Sequence, residues 1–449
     1  MIEERNLMIK LPSDVAKIIQ ILENAGYEAY AVGGCVRDSI LGRQPNDWDI
    51  TTSALPEQVK ELFAHTIDTG IQHGTVTVMM HHVGYEVTTY RVDGEYEDSR
   101  HPKSVTFTAS LEEDLKRRDF TINAMAYNER DGVVDLFGGR QDLENGVVRA
   151  VGDAKERFTE DALRMMRAVR FAAQLGYSID EETLAAIREM APTLAKISAE
   201  RIQAELVKLI VSDHPEHMCL LYESGITRVI MPQFDRMMET QQNNPHHCYN
   251  VGMHSVHAME HVREDKILRL VMLFHDMGKP DAKTTDESGV DHFHGHALKS
   301  EEYAKKILRQ LKFDNDTMHK TLKLTFWHDR KIHPNPKSVR RALSEIGEEL
   351  FLLLLEVKEA DTLAQSMYRR EEKLQELAQL RKTYQDIREQ GDCFSLKDLA
   401  VSGQDLIALG MKPGPEIGAV LKELLECVLE DPSQNTKENL LSVALKSIF

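Results

Sequence analysis

The pattern of apolar residues changes near residue 150, and this change limits the folds open to the chain. Before it lie short runs punctuated by Gly and Pro: EAYAV, WDITTS, TVTVMM, YEVTTY and VVDLF. Such runs predict strands of one sheet. After residue 153 the spacing is helical, as in FTEDALRMMRAVRFAAQLGY and SAERIQAELVKLIV. Thr159 is a predicted helix N-cap and Gly176 a predicted helix stop. The sequence therefore predicts an α/β head with a mixed sheet, followed by an all-α remainder.

The chain is long enough for several domains. With 449 residues and 42% hydrophobic residues it can bury large cores. We predict a head at 1–152, a helical neck at 153–212, a helical body at 213–365 and a helical tail at 366–449. These boundaries follow the change near residue 150 and the motifs described below.

Composition favours a cytoplasmic protein without a membrane span. No stretch approaches the roughly 18–20 apolar residues that cross a bilayer, and MIEERNLMIK lacks the apolar core of a signal peptide. The five cysteines are scattered without metal-type spacing, which favours a reducing compartment. A net charge of −18 argues against a protein that is basic overall, but nucleic-acid binding depends on local patches.

Two short motifs in the head carry candidate chemistry. GGCVRD at 33–38 places Gly33, Gly34 and Arg37 after a predicted strand, and NDWDI at 46–50 contains Asp47 and Asp49. Residues i and i+2 of a strand share a face, so the two carboxylates would converge on a Mg²⁺ ion. The glycines let the backbone approach a triphosphate, and Arg37 would neutralise phosphate charge. The motifs predict metal-assisted nucleotidyl transfer; the alternative is a turn followed by a solvent-facing Asp-X-Asp.

Glu86 in GYEVTTYR is the candidate third carboxylate. It lies in a predicted neighbouring strand, but the sequence does not show which face of that strand it occupies. An ordinary strand glutamate is the alternative.

A second candidate feature is a run of charged residues that recurs every three positions: Asp161, Arg164, Arg167 and Arg170. This spacing predicts one stripe along a helix. A carboxylate beside a guanidinium offers an acceptor and donors together, which suits the base edge of cytosine or adenine. An i,i+3 salt bridge on an exposed helix is the alternative.

Six motifs in order resemble those of class II tRNA nucleotidyltransferases, the bacterial CCA-adding enzymes: VGGCVRD, DWDI, TGIQHGTVTV, RRDFTINAMAYN, DLFGG and EDALRMMRAVRF. The resemblance is dense over about the first 210 residues and looser afterwards. It implies an elongated multidomain enzyme that adds C, C and A to the 3′ end of tRNA without a nucleic-acid template. CTP and ATP would be the substrates, Mg²⁺ the head cofactor, and pyrophosphate the released product.

The resemblance also assigns roles to individual residues. Gly34 and Arg37 match phosphate contacts, and Asp47 and Asp49 match the metal-binding carboxylates. Arg118 matches a further nucleotide contact, with Asp119 and Asn123 shaping the ribose pocket. Asp161 and Arg164 match the pair that selects the base, and Arg167 and Arg170 complete that pocket. Asp98 and Arg100, in YEDSRHP, match a loop motif that CC-only enzymes tend to lack, which favours full CCA addition.

A separate constellation lies in the helical half. His254, the adjacent His275 and Asp276 in LFHDMGKP, and the distant Asp361 resemble the metal site of HD phosphohydrolases. Imidazole and carboxylate ligands suit Mn²⁺, Ni²⁺, Mg²⁺ or Fe. His296 and His328 would extend the site to a second metal. The resemblance predicts an HD domain, with either a working hydrolase on a phosphodiester or phosphomonoester, or a scaffold without activity.

The predicted tail contains a candidate phosphate-binding turn. GMKPGPEIG predicts a turn that opens a helix, whose N-terminal amides could hold a phosphate. The family resemblance implies that this segment binds the tRNA elbow.

Two alternative functions remain open. A bacterial poly(A) polymerase shares the head motifs, although TGIQHGTVTV resembles the CCA-adding form. A non-catalytic RNA-binding scaffold with an HD module is the other rival. The sequence does not define the oligomeric state.

Overall fold

Seven of the strands before residue 150 form one mixed sheet in the computed structural model, which describes residues 8–94 and 105–448. Those residues contain the strands β1 (Ala29–Val32), β2 (Ile50–Thr52), β3 (Thr66–Gly70), β4 (Thr75–Met80), β5 (Val83–Thr89), β6 (Arg91–Asp93), β7 (Val105–Phe107), β8 (Met125–Asn128), β9 (Gly132–Asp135), β10 (Val147–Val148), β11 (Ser178–Ile179), β12 (Thr284–Thr285) and β13 (Asp291–His292). The main sheet has the order β3-β4-β5-β2-β1-β8-β9, while β6 pairs with β7 and β10 pairs with β11 in separate two-stranded sheets.

Strands β1 and β2 lie in the interior of this sheet. Every residue of both strands is buried, because each strand has a neighbour on both edges. β1 pairs antiparallel with β2, and β2 pairs parallel with β5. The end of β1 therefore lies beside the start of β2, and the motifs predicted to hold the nucleotide follow or precede these strands directly.

Helices make up most of the remaining described residues. They are α1 (Ser13–Asn24), α2 (Gly34–Ile40), α3 (Pro56–Leu62), α4 (Leu111–Lys116), α5 (Gly139–Asn145), α6 (Ala154–Glu160), α7 (Leu163–Leu175), α8 (Glu181–Met190), α9 (Ala199–Ile210), α10 (Met218–Glu223), α11 (Ile226–Ile230), α12 (Pro232–Glu239), α13 (Val251–Glu260), α14 (Lys266–Phe274), α15 (Lys279–Ala282), α16 (His296–Gln310), α17 (Asn315–Trp327), α18 (Pro336–Ile346), α19 (Glu348–Ala364), α20 (Arg370–Gln390), α21 (Gly403–Ala408), α22 (Pro415–Glu430) and α23 (Lys437–Ile448). Among these helices none has both the length and the apolar character needed to cross a lipid bilayer.

Of the two predicted limits of the first helix after residue 153, the end is confirmed and the start is wrong. Gly176 ends α7 in the left-handed conformation, with φ +70°, as predicted. Thr159 is not an N-cap: it lies inside α6, and its hydroxyl donates to the carbonyl of Lys155 at 2.7 Å. The cap of α6 is Asp153, whose carboxylate accepts hydrogen bonds from two backbone amides of the first turn.

Residues 1–232 and 233–449 form two compact units. In the second unit α13 packs against α14 and α19, and α14 also packs against α17. Asn250 and Asp265 cap α13 and α14 through backbone amides. From Leu268 onward α14 is buried, so the residue that follows it, His275, enters the interior.

The expected fold class is confirmed: a mixed sheet with helices precedes a helical body. The short ladder β12–β13 is a small departure within the part predicted to be all-helical. The division into head, neck, body and tail at 152, 212 and 365 stays a prediction.

Candidate functional site

Two of the three predicted carboxylates lie where β1 ends and β2 begins. The carbonyl of Asp49 accepts a hydrogen bond from the amide of Val32 at 3.0 Å, and Asp47 precedes it in an irregular segment. The prediction that both aspartates occupy a strand is wrong, because regular pairing with β1 begins only at Ile50. Both residues are solvent-accessible beside the end of β1, although the surrounding protein partly desolvates Asp49.

Glu86 joins this pair through the parallel strands. Ile50 of β2 is the partner of Val87 in β5, so the preceding residues, Asp49 and Glu86, lie side by side. Partial burial raises the pKa of Glu86, and the charges of Asp49 and Asp47 raise it further. Partial burial also raises the pKa of Asp49, with Asp47 adding to the rise and Arg118 opposing it. The three negative carboxylates repel one another, and a bound cation would relieve this repulsion. Their oxygen atoms are ligands that fit Mg²⁺.

Gly33 lets an arginine approach the backbone at the same edge. Its φ of +84° and ψ of −130° favour glycine, and an added Cβ would lie 2.9 Å from Nη1 of Arg118. Nη2 of Arg118 lies 3.6 Å from Oδ2 of Asp114, and its buried Nε has no hydrogen-bond partner among the described residues. Arg118 thus has one buried donor without a partner in the described part of the chain, and its positive charge acts on Asp49. An added Cβ at Gly34 would lie 3.6 Å from Nη2 of Arg37.

A buried network joins the remaining head residues. Nη1 of Arg37 donates to Oδ1 of Asn123 at 2.7 Å, and Nδ2 of Asn123 donates to Oδ1 of Asp119 at 3.1 Å. Arg167 donates to Oδ2 of Asp119 from Nε and Nη2, at 2.8 and 2.6 Å. Burial raises the pKa of Asp119, but Arg167 and the hydrogen bond from Asn123 outweigh burial and hold it below its usual range. The network fixes Arg37 and Asn123 by mutual contact.

Asp161 and Arg164 lie close to each other but pair with other residues. Asp161 follows α6 in an extended conformation, and its Oδ1 accepts from the amide of Leu163 at 3.0 Å. Its Oδ2 pairs with Nη2 of Arg201 at 2.6 Å. Nη1 of Arg164 pairs with Oε2 of Glu160 at 2.5 Å. The prediction of one helical stripe is wrong for Asp161, because this residue lies in the extended break between α6 and α7 and belongs to neither helix.

Sequence reasoning missed Glu160 and Arg201. Glu160 is adjacent to Asp161 in the sequence, so its position near the site could be predicted. Its ion pair with Arg164 could not. Arg201 lies 40 residues away on α9, and only the packing of α7 against α9 brings the two segments together. Both residues orient a member of the predicted base-selecting pair.

Arg170 differs from the other arginines of α7. Its Nε donates to Oε2 of Glu205 at 2.6 Å, and its guanidinium lies 3.6 Å from the ring centre of Phe171. The side chain is 8% exposed, and burial lowers the pKa of Arg170. These contacts give Arg170 a structural role in the packing of α7 against α9. Its place in a nucleotide pocket stays a prediction.

The chain matches three family models in order along its length. A Poly A polymerase head domain matches residues 29–149, a "Probable RNA and SrmB-binding site of polymerase A" matches 176–238, and a tRNA nucleotidyltransferase domain 2 matches 292–444. The CCA-adding enzyme of Levilactobacillus brevis is 37% identical over 429 residues, which cover 95% of each chain. The chain belongs to the CCA-adding enzyme family.

Two further members of this family show how the likeness is distributed. The CCA-adding enzyme of Leuconostoc mesenteroides is 59% identical over 198 residues, and this match spans 44% of our chain and 49% of that enzyme, about half its length. The crystal structure of the Bacillus stearothermophilus CCA-adding enzyme in complex with CTP is similar over 98% of both chains, with 33% identity and a TM-score of 0.73.

The second unit of this family member contains the predicted histidine–aspartate cluster. Nε2 of His254 lies 2.8 Å from Oδ1 of Asp361 and 3.3 Å from Nε2 of His275. Asp276 joins this group to a second one: its Oδ2 lies 3.3 Å from Nε2 of His275, and its Oδ1 lies 3.3 Å from Nε2 of His296. Nε2 of His328 lies 3.1 Å from that of His296. All six predicted ligands therefore converge.

The hydrogen bonds of the imidazoles fix their tautomers. In each of the four histidines, Nδ1 donates a hydrogen bond to a backbone carbonyl. The pairs are His254 with Ala364, His275 with Met272, His296 with Phe293, and His328 with Thr325. A carbonyl only accepts, so each Nδ1 carries the hydrogen and each Nε2 of a neutral ring presents a lone pair to the centre. Such orientation by backbone acceptors is typical of metal-ligating histidines.

The charges in this cluster fit one or two divalent ions. Facing lone pairs only 3.1–3.3 Å apart repel unless a proton or a cation lies between them. Burial raises the pKa of Asp276, but His275 and Lys279 hold it well below its usual range, so the bridging group is a carboxylate. Two groups of ligand atoms lie close enough to hold an ion, one of them His254, His275 and Asp276 and the other Asp276, His296 and His328.

Residues around the cluster were not predicted. Nζ of Lys279 lies 2.7 Å from Oδ2 of Asp276 and donates to Oε1 of Gln242 at 2.9 Å. His247 packs its ring against that of His254, with centres 5.2 Å apart, and burial with the charge of Lys279 lowers its pKa to about 3. Lys279 follows Asp276 by three residues, so helical spacing was a usable signal for it. No local signal marks Gln242 or His247.

Proposed function

We propose that the chain adds C, C and A to the 3′ end of tRNA, with CTP and ATP as substrates and pyrophosphate as the released product. The observation that carries this proposal is the grouping of Asp47, Asp49 and Glu86, with the guanidinium of Arg118 close enough for its charge to act on Asp49. Membership of the CCA-adding family supports it, as does the likeness to a relative whose structure contains CTP.

Each residue of the head would then have a defined task. Asp47 and Asp49 would hold Mg²⁺, which supplies charge stabilisation for the attacking hydroxyl and the leaving pyrophosphate. Gly33 gives the triphosphate access to the backbone, and Arg118 donates to its oxygens. Asn123 and Asp119, fixed by Arg37 and Arg167, shape the wall that meets the ribose.

Base selection would rest on Asp161 and Arg164. Cytosine and adenine each carry an exocyclic amine beside a ring acceptor, so a carboxylate and a guanidinium can meet either base. Arg201 and Glu160 hold these two groups in place, at 2.6 and 2.5 Å. G and U present a different pattern and would be rejected.

The test is metal-dependent incorporation of labelled CTP and ATP into tRNA that lacks its 3′ CCA. We expect Asp49→Asn to abolish incorporation of both nucleotides while tRNA binding persists, since the loss of metal-held charge stabilisation costs several kcal/mol. ATP-only homopolymer synthesis would instead identify a poly(A) polymerase. Failure of the unmodified chain to incorporate either nucleotide would leave only an RNA-binding scaffold.

We infer a second function for the Gln233–Phe449 unit, namely metal-dependent phosphohydrolysis at an HD-type site. The supporting observation is the set of four Nδ1–carbonyl hydrogen bonds that aim four Nε2 atoms and two carboxylates at one centre. The residues would hold one or two divalent transition ions, which supply a polarised water for hydrolysis.

Metal content separates this function from a scaffold role. We expect purified full-length chain to retain a divalent transition metal, and the double variant His275→Ala with Asp276→Ala to lose both the metal and any hydrolysis. Equal metal content in the two proteins would contradict the proposal.

The other expectations remain proposals or predictions. The helix expected after GMKPG is present, since α22 begins at Pro415, and we propose that this tail contacts tRNA. Asp98 and Arg100, on which full CCA over CC-only addition rests, lie outside the described residues. The cytoplasmic location stays a prediction.

A further inference from the structure

A cavity of about 270 Å³ opens beside the histidine–aspartate cluster. His328 and Asp361, both predicted ligands, form one wall. Lys358, Gln365 and Lys373 form another wall, and three apolar side chains, Ile332, Leu377 and Leu380, complete the lining. The CCA-addition proposal uses none of these cavity residues.

Two lysines are held in fixed positions in this cavity. Nζ of Lys373 donates to Oε1 of Gln365 at 2.5 Å, and Nε2 of Gln365 donates to Oδ1 of Asp361 at 3.1 Å. Nζ of Lys358 donates to the carbonyls of His328 and Arg330, at 2.6 and 2.8 Å. Each ammonium group has three hydrogens, and Lys358 has one left beyond these two bonds. Both side chains are half-buried, so their charges are less screened than those of surface lysines.

The charge balance favours a dianionic ligand. The buried Asp276 and the half-buried Asp361 contribute −2. Lys279, Lys358 and Lys373 contribute +3, which leaves +1 before any divalent ion is added. The solvent-exposed rim carries two acidic and two basic residues whose charges cancel: Asp329, Glu376, Arg330 and Lys331. A phosphate monoester carries about −1.5 to −2 near neutral pH, whereas a diester carries only one charge.

The volume of the cavity also favours a small ligand. Its volume lies just below the range of about 300–1,000 Å³ typical of sites for small molecules. A monoester has one organic substituent, which the apolar wall of Ile332, Leu377 and Leu380 can cover. A diester has a second substituent that needs an open groove.

We infer that Lys373 and Lys358 form a phosphate-binding wall that selects phosphate monoesters over diesters, an inference that rests on the proposed hydrolase function. In the reaction the oxygen of a water molecule forms a bond to phosphorus and the ester P–O bond breaks. The leaving alkoxide takes a proton from that water, and the products are inorganic phosphate and an alcohol.

The experiment compares full-length wild type with Lys373→Ala, Lys373→Arg and the control Lys382→Ala, which removes an exposed lysine from the same helix. Metal content and thermal unfolding are checked first. Calorimetry with Mn²⁺-loaded protein then measures the Kd of inorganic phosphate, and initial rates are taken with para-nitrophenyl phosphate and bis-para-nitrophenyl phosphate. We expect Lys373→Ala to raise the phosphate Kd and the monoester KM by about 10- to 100-fold, the loss of a charged hydrogen bond. Lys373→Arg should recover part of this loss, and Lys382→Ala should match wild type.

The outcomes separate this inference from the hydrolase proposal. Lysine-dependent phosphate binding without turnover of either ester supports the phosphate wall and contradicts the hydrolase. Turnover of the diester in preference to the monoester, or Lys373→Ala with unchanged phosphate Kd and KM, overturns the wall and leaves the hydrolase standing. A chain that holds neither metal nor phosphate overturns both.

Discussion

Substitution of Gly33 by alanine tests whether the approach of Arg118 to the backbone matters for nucleotide addition. At φ +84° and ψ −130° a non-glycine residue costs about 1–3 kcal/mol of strain, and each kcal/mol lowers the Tm of a unit this size by about 2–4 °C. The new methyl would also lie 2.9 Å from Nη1 of Arg118, so the guanidinium has to move. Loss of one charged hydrogen bond, about 1.5–3 kcal/mol, lowers kcat/KM by about 10- to 150-fold.

Gly26→Ala provides the matched control. Gly26 has φ +90°, and an added Cβ meets nothing within 4 Å, so this variant carries positive-φ strain without the contact to Arg118. The assays are thermal unfolding and steady-state incorporation of CTP and ATP into tRNA. We expect both variants to unfold at a lower temperature and only Gly33→Ala to lose kcat/KM with both nucleotides. Equal kcat/KM in the two variants would refute the functional role of the close approach.

Three further predictions concern single contacts. Glu86→Gln should lower kcat with both nucleotides by less than Asp49→Asn does, because Asp47 and Asp49 remain to hold the metal; a loss equal to that of Asp49→Asn would make Glu86 an equal ligand. Asp161→Ala should lower the discrimination of CTP against UTP, and Arg201→Ala should do so more weakly, because it removes only the group that orients the carboxylate. If the CTP/UTP ratio of kcat/KM is unchanged in both variants, the ion pair of Asp161 with Arg201 has only a structural role. His275→Ala with Asp276→Ala should spare CTP and ATP incorporation, since each cluster takes its ligands from its own compact unit; a collapse of incorporation in a folded variant would show that the HD-type region takes part in tRNA addition.

Local chemistry determined much of what the sequence predicted correctly. Runs of four to seven residues such as AYAV and VGYEVTT became strands, and Gly176 ended its helix, because backbone preferences act over a few residues. The same reasoning identified the six histidine and aspartate side chains that converge in the second unit, since their residue types carry the ligand chemistry wherever the fold places them.

Tertiary packing decided what local spacing could not. Thr159 and Asp161 fit one continuous helix by periodicity, but the cap at Asp153 and the break at Asp161 gave two helices. Glu86 reached Asp49 only through the parallel pairing of β2 with β5, and a slip of one residue would have turned its side chain to the other face. Arg201 met Asp161, and Arg170 met Glu205, across the contact of α7 with α9. Sequence thus set which groups could carry the chemistry, while long-range packing decided which of them meet, because side chains far apart in the chain come together only when the apolar faces between them are buried.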